Sequence, residues 1–516
     1  MNKDRVPNTS HVIGIDGLRA IAILAVIIYH LKHKFLPGGF SGVDVFFVIS
    51  GYVISQSLAS SNHLDFKEFI LNFYKRRVLR ILPALLFCLI IVSIISILFI
   101  PYGWLSALNN GTAKSAFLGI SNFFLIQTSD GYFSERFLFN PFLHTWSLAV
   151  EEQFYLIFPV IFYTWQRTRN DSRWRIPRLC ILPILAFMSL AMAAHLSSIA
   201  HNQAFFLLHG RFWELAAGAM LFQLQTSQTF KIKARQLSDW LLAAGALMIG
   251  VGFVYTNEQH FPFPWALLTV LGTALMIAGT INAAEGRRGI QGLISSQIMT
   301  YIGKISYSLY LWHWPVFCLF RWTVGLSTPF TAGLAMLLTF GLATLSYYKV
   351  ESYFRQNNFI RVQPPRKVIS AGIGIISASF LSVSLLLQFA PALKLNLSVT
   401  SNRYDWNPSY EETPGNMPAA QGKKERKRLL VIGDSHAKQF ETMVKMAANN
   451  LGAEAALRPQ SGCPVADLLF PAADDQYCRG LEQEALDWVK QRARPGDIVF
   501  LASFRLFRFA NQQGAV

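Results

Sequence analysis

Three ionisable residues, Asp16, Arg19 and His30, lie inside the first apolar run of the chain. Asp16 and Arg19 are one helical turn apart, and His30 follows Arg19 by 11 residues, which is roughly 16 Å along a helix. Histidine titrates near neutrality and is therefore suited to general base work. A buried histidine bonded to a backbone carbonyl is the simpler alternative. Because ionisable groups are costly within a membrane, three of them on one helix face favour a functional site.

A second polar set opens a later apolar run. His144, Leu148, Glu151 and Tyr155 fall on one stripe at helical spacing. Glu151 and its neighbour Glu152 could orient a substrate hydroxyl or counter an arginine. Acidic residues also favour solvated helix N-termini. Both interpretations stay open, and the sequence does not separate the two carboxylates.

A basic pair, Arg77 and Arg80, precedes the third apolar run and shares one helix face. Guanidinium groups match phosphate geometry, so the pair could bind the phosphates of a coenzyme A donor. A plain cytoplasmic anchor explains the same residues about as well.

Two further polar groups lie within apolar runs. Arg211 and Glu214, one turn apart, have the spacing of an intramembrane ion pair. A later run contains a polar and aromatic seam made of Ser306, Tyr307, Tyr310, Trp312 and His313. Either group could serve packing alone.

The composition places all of these residues in a membrane protein. The chain has 516 residues, of which 52% are hydrophobic and 15% are charged, against roughly a quarter charged in soluble proteins. Its net charge of +17 comes from basic residues in short loops between apolar runs. That distribution sets membrane orientation, and it argues against a nucleic-acid partner.

Apolar runs of roughly 20 residues predict about eleven transmembrane helices. The predicted spans are 13–32, 41–60, 81–101, 146–165, 179–199, 206–225, 239–256, 263–283, 299–321, 328–348 and 368–390. Basic residues cluster in alternate loops, including 75–80 and 167–178, which predicts a cytoplasmic N-terminus and an extracytoplasmic C-terminal segment. The stretch 113–128 is predicted to be a partial or interfacial helix, because a full crossing would put the arginines of 167–178 on the wrong face.

After residue 390 the sequence changes character. Residues 391–428 are polar and predict a linker, whereas 429–433 and 498–501 have the apolar character of short buried strands. With a helix expected near 437–450, this order predicts an α/β domain outside the membrane. The predicted domains are 1–360 for the membrane bundle, 361–428 for a linking helix and linker, and 429–516 for a partial outer domain.

Five segments, in order along residues 13–350, resemble the acyltransferase-3 family of membrane acyltransferases. They are GIDGLRAIA at 14–22, GFSGVDVFFVISGY at 39–52, RVLRILP at 77–83, HTWSLAVEEQFY at 144–155 and ISYSLYLWH at 305–313. The resemblance implies an all-α bundle of about ten core transmembrane helices plus one linking helix, located in the bacterial inner membrane. It also implies transfer of an acyl group, with acetyl expected, from cytoplasmic acyl-CoA to an envelope glycan such as lipopolysaccharide O-antigen or peptidoglycan.

The resemblance also assigns roles to particular residues. It makes Asp16, Arg19 and His30 the catalytic group, Arg77 and Arg80 donor-binding candidates, and Glu151 and Glu152 site carboxylates. Four further residues are expected to bind the substrate: His144, Tyr155, Tyr310 and His313. His30 would remove a proton from an acceptor hydroxyl, or help to load an intermediate carrier. Acetyl-CoA is expected as the donor substrate, with no permanently bound cofactor and no metal.

The C-terminal segment resembles the SGNH hydrolase/transferase domain that follows this bundle in many family members. VIGDSH at 431–436 matches its nucleophile block, with Ser435 as the catalytic serine, and Gly462 is a candidate oxyanion donor. Cys463 and Cys478 are expected to form a disulfide in an oxidising periplasm.

This segment also departs from the SGNH pattern. A serine nucleophile needs a base, and no histidine follows His436, which is adjacent to Ser435 and badly placed to serve it. The alternatives are an incomplete outer domain, an inactive one, or a different route. The short segment favours the first.

The main alternative function is an envelope-glycan or acyl-group transporter or flippase, since ionisable residues in spans also line transport paths. The sequence contains neither repeated halves nor paired Gly/Pro-interrupted helices of the transporter type. A periplasmic esterase with a membrane anchor is a third possibility. About eleven spans exceed what an anchor needs.

Overall fold

A computed structural model describes the positions of most of the chain. The described residues are 12–61, 63–101, 106–128, 132–168, 173, 175–226, 235–282, 289–397, 427–433, 437, 440, 443–444, 447–448, 451–459 and 476–502. They belong to two compact units, the first ending at Asn396 and the second beginning at Leu397 apart from a short piece near residue 101.

The N-terminal half of the first unit is helical wherever regular structure is described. Its helices are α1 (Ile13–Leu31), α2 (Gly42–Ala59), α3 (Phe66–Phe99), α4 (Ser106–Phe117), α5 (Ser121–Ile126), α6 (Thr145–Arg167), α7 (Arg175–Ile199), α8 (His201–Phe206) and α9 (Leu208–Thr226). Short 3-10 turns join some of them, including Glu135–Phe139 before α6.

The rest of the first unit continues in the same way. Its helices are α10 (Arg235–Tyr255), α11 (Ala266–Asn282), α12 (Gly289–Ile294), α13 (Gln297–Lys304), α14 (Ser306–Trp322), α15 (Pro329–Ser346), α16 (Ser352–Gln356), α17 (Asn358–Val362) and α18 (Pro365–Phe389). A π-helical turn, Tyr347–Glu351, joins α15 to α16.

Each predicted span coincides with helical structure, although the bounds differ. Helix α3 begins at Phe66, well before the predicted start, because the Asp65 side chain caps it by accepting from the Glu68 N–H. The predicted span 299–321 is divided at Ile305 into α13 and α14. Among the residues described, seven helical segments are long and apolar enough to cross a membrane. The chain is a multi-pass membrane protein, and the number eleven stays a prediction.

The predicted partial helix at 113–128 is a pair of short helices, α4 and α5. Gly119 lies between them with φ at 67°, in the left-handed region that favours glycine. Neither helix has the length of a membrane crossing.

Close helix contacts bring the functional segments together. Helix α1 touches the backbone of Ile294 at Gly17, and α13 touches the backbone of Asp16 at Gly303, so closely that a Cβ atom at either glycine would collide with main chain. Gly51 allows the same approach between α2 and α9. Small residues allow such contacts between helices in a membrane, and here they place α1 against α13.

The second unit contains a small parallel sheet in its described part. Its elements are β1 (Arg428–Gly433), β2 (Glu454–Pro459), α19 (Gln476–Arg492) and β3 (Ile498–Ala502). The strand order is β2-β1-β3, with Leu430 of β1 opposite Ala456 on one side and Val499 on the other.

Strands β1 and β3 lie where the sequence predicts them. Strand β2 and helix α19 were missed, because β2 carries two charged residues and ends in proline, and α19 is too polar to stand out from a loop. The helix expected near 437–450 falls largely outside the described residues.

Candidate functional site

A cavity of about 490 Å³ lies within the first unit, between α1, α2, α3, α6, α13, α14 and the turn after α15. Eight of the predicted site residues line it: Asp16, Arg19, Arg77, Arg80, Glu151, Glu152, Tyr155 and Tyr310. Segments far apart in the sequence therefore converge on one space, which is what a binding site in a helical bundle requires.

The cavity lining is rich in charge. It contains the cationic side chains Arg19, Arg77, Arg80, Lys304 and Arg355 and the acidic side chains Asp16, Glu151, Glu152 and Glu351. Arg19 donates to Asp16 Oδ1 at 3.2 Å, and Arg355 lies 3.6 Å from Glu351.

Arg77 and Arg80 differ from those paired arginines. Within the part of the chain that the structure describes, neither has a carboxylate oxygen within ion-pair distance. The Arg77 guanidinium lies over the rings of Phe73 and Tyr155, at 5.7 and 5.8 Å from their centroids. Two guanidinium groups are thus left to interact with an anion in the cavity.

The structure separates the two adjacent carboxylates. Glu151 lines the cavity together with Ser50 and Tyr155, whose hydroxyls lie 2.7 Å from each other. Glu152 instead lies against Gly119: a Cβ atom added to that glycine would be 2.5 Å from Glu152 Oε2. Glu151 therefore belongs to the polar network beside Arg77, and Glu152 faces α4 and α5.

His30, His144 and His313 form a second group, the histidine cluster, buried beyond the cavity. His30 Nδ1 lies 3.1 Å from His313 Nε2, and His30 Nε2 lies 3.0 Å from the Tyr132 hydroxyl. The His144 ring lies 6.0 Å from the His313 ring, centroid to centroid. Helices α1 and α14 supply His30 and His313, and His144 is the N-cap residue of α6.

Tyr310 lies between the cavity and the histidine cluster. Its hydroxyl donates to the His144 carbonyl oxygen at 3.0 Å and lies 2.6 Å from Ser147 Oγ, while its ring is 5.3 Å from that of His313. Because Tyr310 also lines the cavity, it is the direct polar neighbour of both groups.

The structure divides the set that the family resemblance treats as one catalytic group. Asp16 and Arg19 line the cavity, whereas His30, on the same helix, lies outside its lining among the described residues. The 11 residues from Arg19 to His30 span roughly 16 Å of helix, so the Asp16–Arg19 pair and His30 lie at different depths in the bundle.

Two neighbours of the histidine cluster were missed from the sequence. Tyr132 precedes the 3-10 turn before α6 and belongs to no periodic segment. Arg321, near the end of α14, donates to the His30 carbonyl oxygen at 2.6 Å and lies over the Trp314 ring at 5.3 Å. In sequence, a basic residue at the end of an apolar helix is typical of a membrane anchor. The contact of Arg321 with His30 was therefore not predicted.

The predicted Arg211–Glu214 pair is present and has a third member. Arg211 contacts Glu214 Oε1 at 2.7 Å and Asp44 Oδ1 at 3.1 Å, and Thr269 donates to Asp44 Oδ2 at 3.2 Å. The Arg211 guanidinium is also within 5.0 to 5.7 Å of four aromatic centroids, those of Phe47, Trp146, Phe205 and Phe261. Asp44, Arg211 and Glu214, here called the ion cluster, are all buried.

Most predicted residues of the outer unit lie outside the described residues. These are Ser435, Gly462 and Cys463, and Cys478 lies in α19 with a side chain that is not described. Among the cysteines described, Cys88, Cys180 and Cys318 are free thiols. The described residues contain no group of three or more metal-ligating side chains.

Residues 12–348 match the acyltransferase domain family. This match covers more than half of the chain, so the chain belongs to that family, as its motifs indicate. Residues 403–514 match the SGNH domain that is fused to such acyltransferase domains.

Curated relatives give names within this family. The chain is similar to the O-acetyltransferase OatA of Staphylococcus aureus strain COL and to that of strain MW2. Each is 33% identical over 310 residues, which is 59% of this chain and 50% of the relative. The chain thus matches about half the length of these relatives. No solved structure matches the chain.

Proposed function

We propose that this chain is a membrane O-acyltransferase that moves an acyl group, acetyl first of all, from cytoplasmic acyl-CoA to a hydroxyl of an extracytoplasmic envelope glycan. The observation that carries the proposal is the cavity. The Arg77 and Arg80 guanidinium groups, unpaired among the described residues, and Tyr310, whose hydroxyl donates to the His144 carbonyl oxygen, all face this one space. The family of the chain and the O-acetyltransferase names of its relatives support the same reaction.

Arg77 and Arg80 bind the phosphates of the donor in this proposal. Both line the cavity, and arginine forms forked hydrogen bonds with phosphate oxygens. The Asp16–Arg19 pair contributes a further cation that is held in place by its own carboxylate. Acetyl-CoA is a substrate here, and no metal takes part.

His30 is the base in this proposal. It takes the proton of an acceptor hydroxyl as that oxygen attacks the thioester carbonyl, or it does so while the acyl group is loaded onto an intermediate carrier. Tyr310 and Ser147 form the polar connection between the cavity and the histidine cluster. Glu151 lines the same cavity as Arg77, and in this proposal it orients the substrate there.

The acceptor side of the proposal rests on membrane orientation. Basic loops favour a cytoplasmic N-terminus, and in this proposal the chain lies in the inner membrane with its outer unit in the periplasm. Lipopolysaccharide O-antigen and peptidoglycan are the two acceptor classes proposed. Ser435 of the SGNH-matching segment would pass the acyl group to the glycan if it has a base.

The test uses membranes from cells that express the full chain, supplied with radiolabelled acetyl-CoA and scored for alkali-labile label on envelope polysaccharide. We expect label from the wild-type chain, none above background from His30→Ala, and wild-type label from the control His195→Ala, whose side chain is exposed on α7. A Ser435→Ala variant then reports whether the outer unit takes part.

The transporter or flippase is the competing function, because charged residues around a cavity also suit a transport path. It predicts glycan or acyl-group movement that does not consume acetyl-CoA. Well-folded wild-type protein that leaves no label on any polysaccharide would reject the acetyltransferase and favour that alternative.

A further inference from the structure

The His313 ring is fixed by its own helix. Its Nδ1 lies 2.7 Å from the Tyr310 carbonyl oxygen and 3.2 Å from that of Leu309. Carbonyl oxygens only accept hydrogen bonds, so Nδ1 must carry the proton. In a neutral imidazole the other nitrogen, Nε2, is then an acceptor.

This arrangement determines the tautomer of His30. His30 Nδ1 lies 3.1 Å from His313 Nε2, and the two rings are within 16° of parallel. Since His313 Nε2 accepts, His30 Nδ1 must donate, and the lone pair of neutral His30 is left on Nε2. The Tyr132 hydroxyl, 3.0 Å from that nitrogen, is therefore the donor to it.

We propose that His313 is a positioning residue: it holds His30 in the Nδ1–H tautomer, so that Nε2 is the basic nitrogen and the Tyr132 hydroxyl marks the place of the acceptor hydroxyl. This inference rests on the proposed function of His30 as the base. It replaces the substrate-binding role expected for His313 from the sequence, since His313 lies outside the cavity lining in the described structure.

The acyl transfer then proceeds with a balanced movement of protons and electrons. The acceptor oxygen forms a bond to the acyl carbon, and the electron pair of the carbon–sulfur bond leaves with the donor sulfur. The hydroxyl proton passes to His30 Nε2 and finally to the thiolate, giving an ester and a free thiol. While His30 carries both protons, its Nδ1–H donates to His313, which stabilises the charge at that stage.

The other neighbours of His30 and His313 do not change the tautomer assigned to His30. Arg321 donates to the His30 carbonyl oxygen and not to its ring. The Trp314 ring packs edge-on against His30, with centroids 4.6 Å apart. His144 contacts the His313 ring at 6.0 Å between centroids. None of these contacts supplies a competing acceptor to His30 Nδ1.

The first test is spectroscopic and needs no turnover. Full-length protein with 15N-labelled histidine, in lipid nanodiscs, is compared with a His30→Gln variant to assign the His30 ring signals by difference. We expect a protonated Nδ1 and an unprotonated Nε2 in the wild-type chain. His313→Leu should lose this preference, and His313→Gln should keep it, because the amide oxygen of glutamine accepts near the position of Nε2. A wild-type His30 protonated on Nε2 would overturn the proposal.

The second test is kinetic and uses the same variants. We expect kcat of His313→Leu to fall about 100-fold, the usual contribution of a positioned base, with KM for acetyl-CoA within about twofold of wild type because His313 does not line the cavity. His313→Gln should recover most of kcat. If kcat fell equally in His313→Leu and His313→Gln while the His30 tautomer stayed unchanged, His313 would have only a packing role. A correct tautomer in a chain without any transferase activity would instead reject the proposed function.

Discussion

The cavity and the ion cluster are two sets of ionisable residues buried in one helical bundle, and they differ in what surrounds them. In the ion cluster, Arg211 touches two carboxylates, and aromatic rings pack around its guanidinium. In the cavity, Arg77 and Arg80 face about 490 Å³ of space without an ion-pair partner among the described residues. The two sets therefore differ in whether their guanidinium groups are left available to an anion, which is the property expected of a binding site.

The two sets share aromatic neighbours. Phe47 lines the cavity and packs against Arg211, and Trp146, another neighbour of Arg211, contacts Tyr132 at 5.9 Å between centroids. The ion cluster therefore supports the walls of the site, although it does not face it.

The largest expected effect comes from breaking the ion cluster. Arg211→Leu leaves Asp44 and Glu214 buried without their cation, which should cost about 3–5 kcal/mol of stability. We expect poor yield and a lowered melting temperature in detergent. The triple variant Asp44→Leu/Arg211→Leu/Glu214→Leu should regain much of that loss because no charge remains buried. A single variant as stable as wild type would refute the structural role.

Substituting the two arginines of the cavity should have a large effect on activity and little effect on stability. Arg77→Gln/Arg80→Gln removes two charged donors, each worth about 1.5–3 kcal/mol to a phosphate contact. KM for acetyl-CoA should rise about 100-fold or more, with the melting temperature little changed. The control is Arg76→Gln, since Arg76 bonds Ser61 Oγ and lies outside the cavity lining. If Arg76→Gln raised KM for acetyl-CoA as much as the double variant does, the overall positive charge of this segment would explain the change.

A smaller effect on activity is expected at Tyr310, which lies between the cavity and the histidine cluster. Tyr310→Phe removes the hydroxyl that bonds Ser147 and the His144 carbonyl oxygen, and an unsatisfied buried group costs about 1–3 kcal/mol. We expect kcat to fall about tenfold while KM for acetyl-CoA stays near wild type. Steady-state rates over a range of acetyl-CoA concentrations separate the two. A change confined to KM would place Tyr310 in donor binding alone.

The smallest effect belongs to an exposed carboxylate that has no part in either buried set. Asp497 accepts from the N–H groups of Arg428 and Arg494, at 2.8 Å each, and these donors hold the pKa of Asp497 below its ordinary value. A lowered folded-state pKa stabilises the fold above the ordinary value of about 3.9, and this contribution is lost as pH falls through the folded-state pKa.

Asp497→Asn should therefore speed hydrogen exchange in β1 and β3 slightly at pH 7. The difference from wild type should shrink once the pH drops below about 4. Asp487→Asn, at an exposed position of α19, is the matched control and should change little. A difference that stays constant across this pH range would contradict the assignment to the carboxylate charge.

The sequence predicted contacts between residues of one helix, and it did not predict contacts between residues of different helices. The Asp16–Arg19 pair and the Arg211–Glu214 pair follow from one-turn spacing and are present. The division of Asp16 and Arg19 from His30 was not predicted, although helix rise alone places them three turns apart. The relevant partners of each group come from other helices, and one sequence does not show which helices touch.

Asp44 and Tyr132 illustrate the limit. Asp44 stands in a motif, yet its partner Arg211 lies on a different helix. Tyr132 reaches His30 from a connection between helices, where no periodicity indicates direction. The convergence of α1, α6 and α14 on the histidine cluster was likewise visible only in three dimensions.

The most direct test of the acyltransferase proposal counts both products of one reaction. Purified full-length chain in proteoliposomes, given acetyl-CoA and a polysaccharide acceptor, is assayed together for free thiol and for ester-linked acetyl. We predict one thiol released per ester formed, loss of both products in His30→Ala, and retention of both in Arg76→Gln. Thiol and ester that appear equally with His30→Ala, or glycan movement without thiol release, would contradict the account.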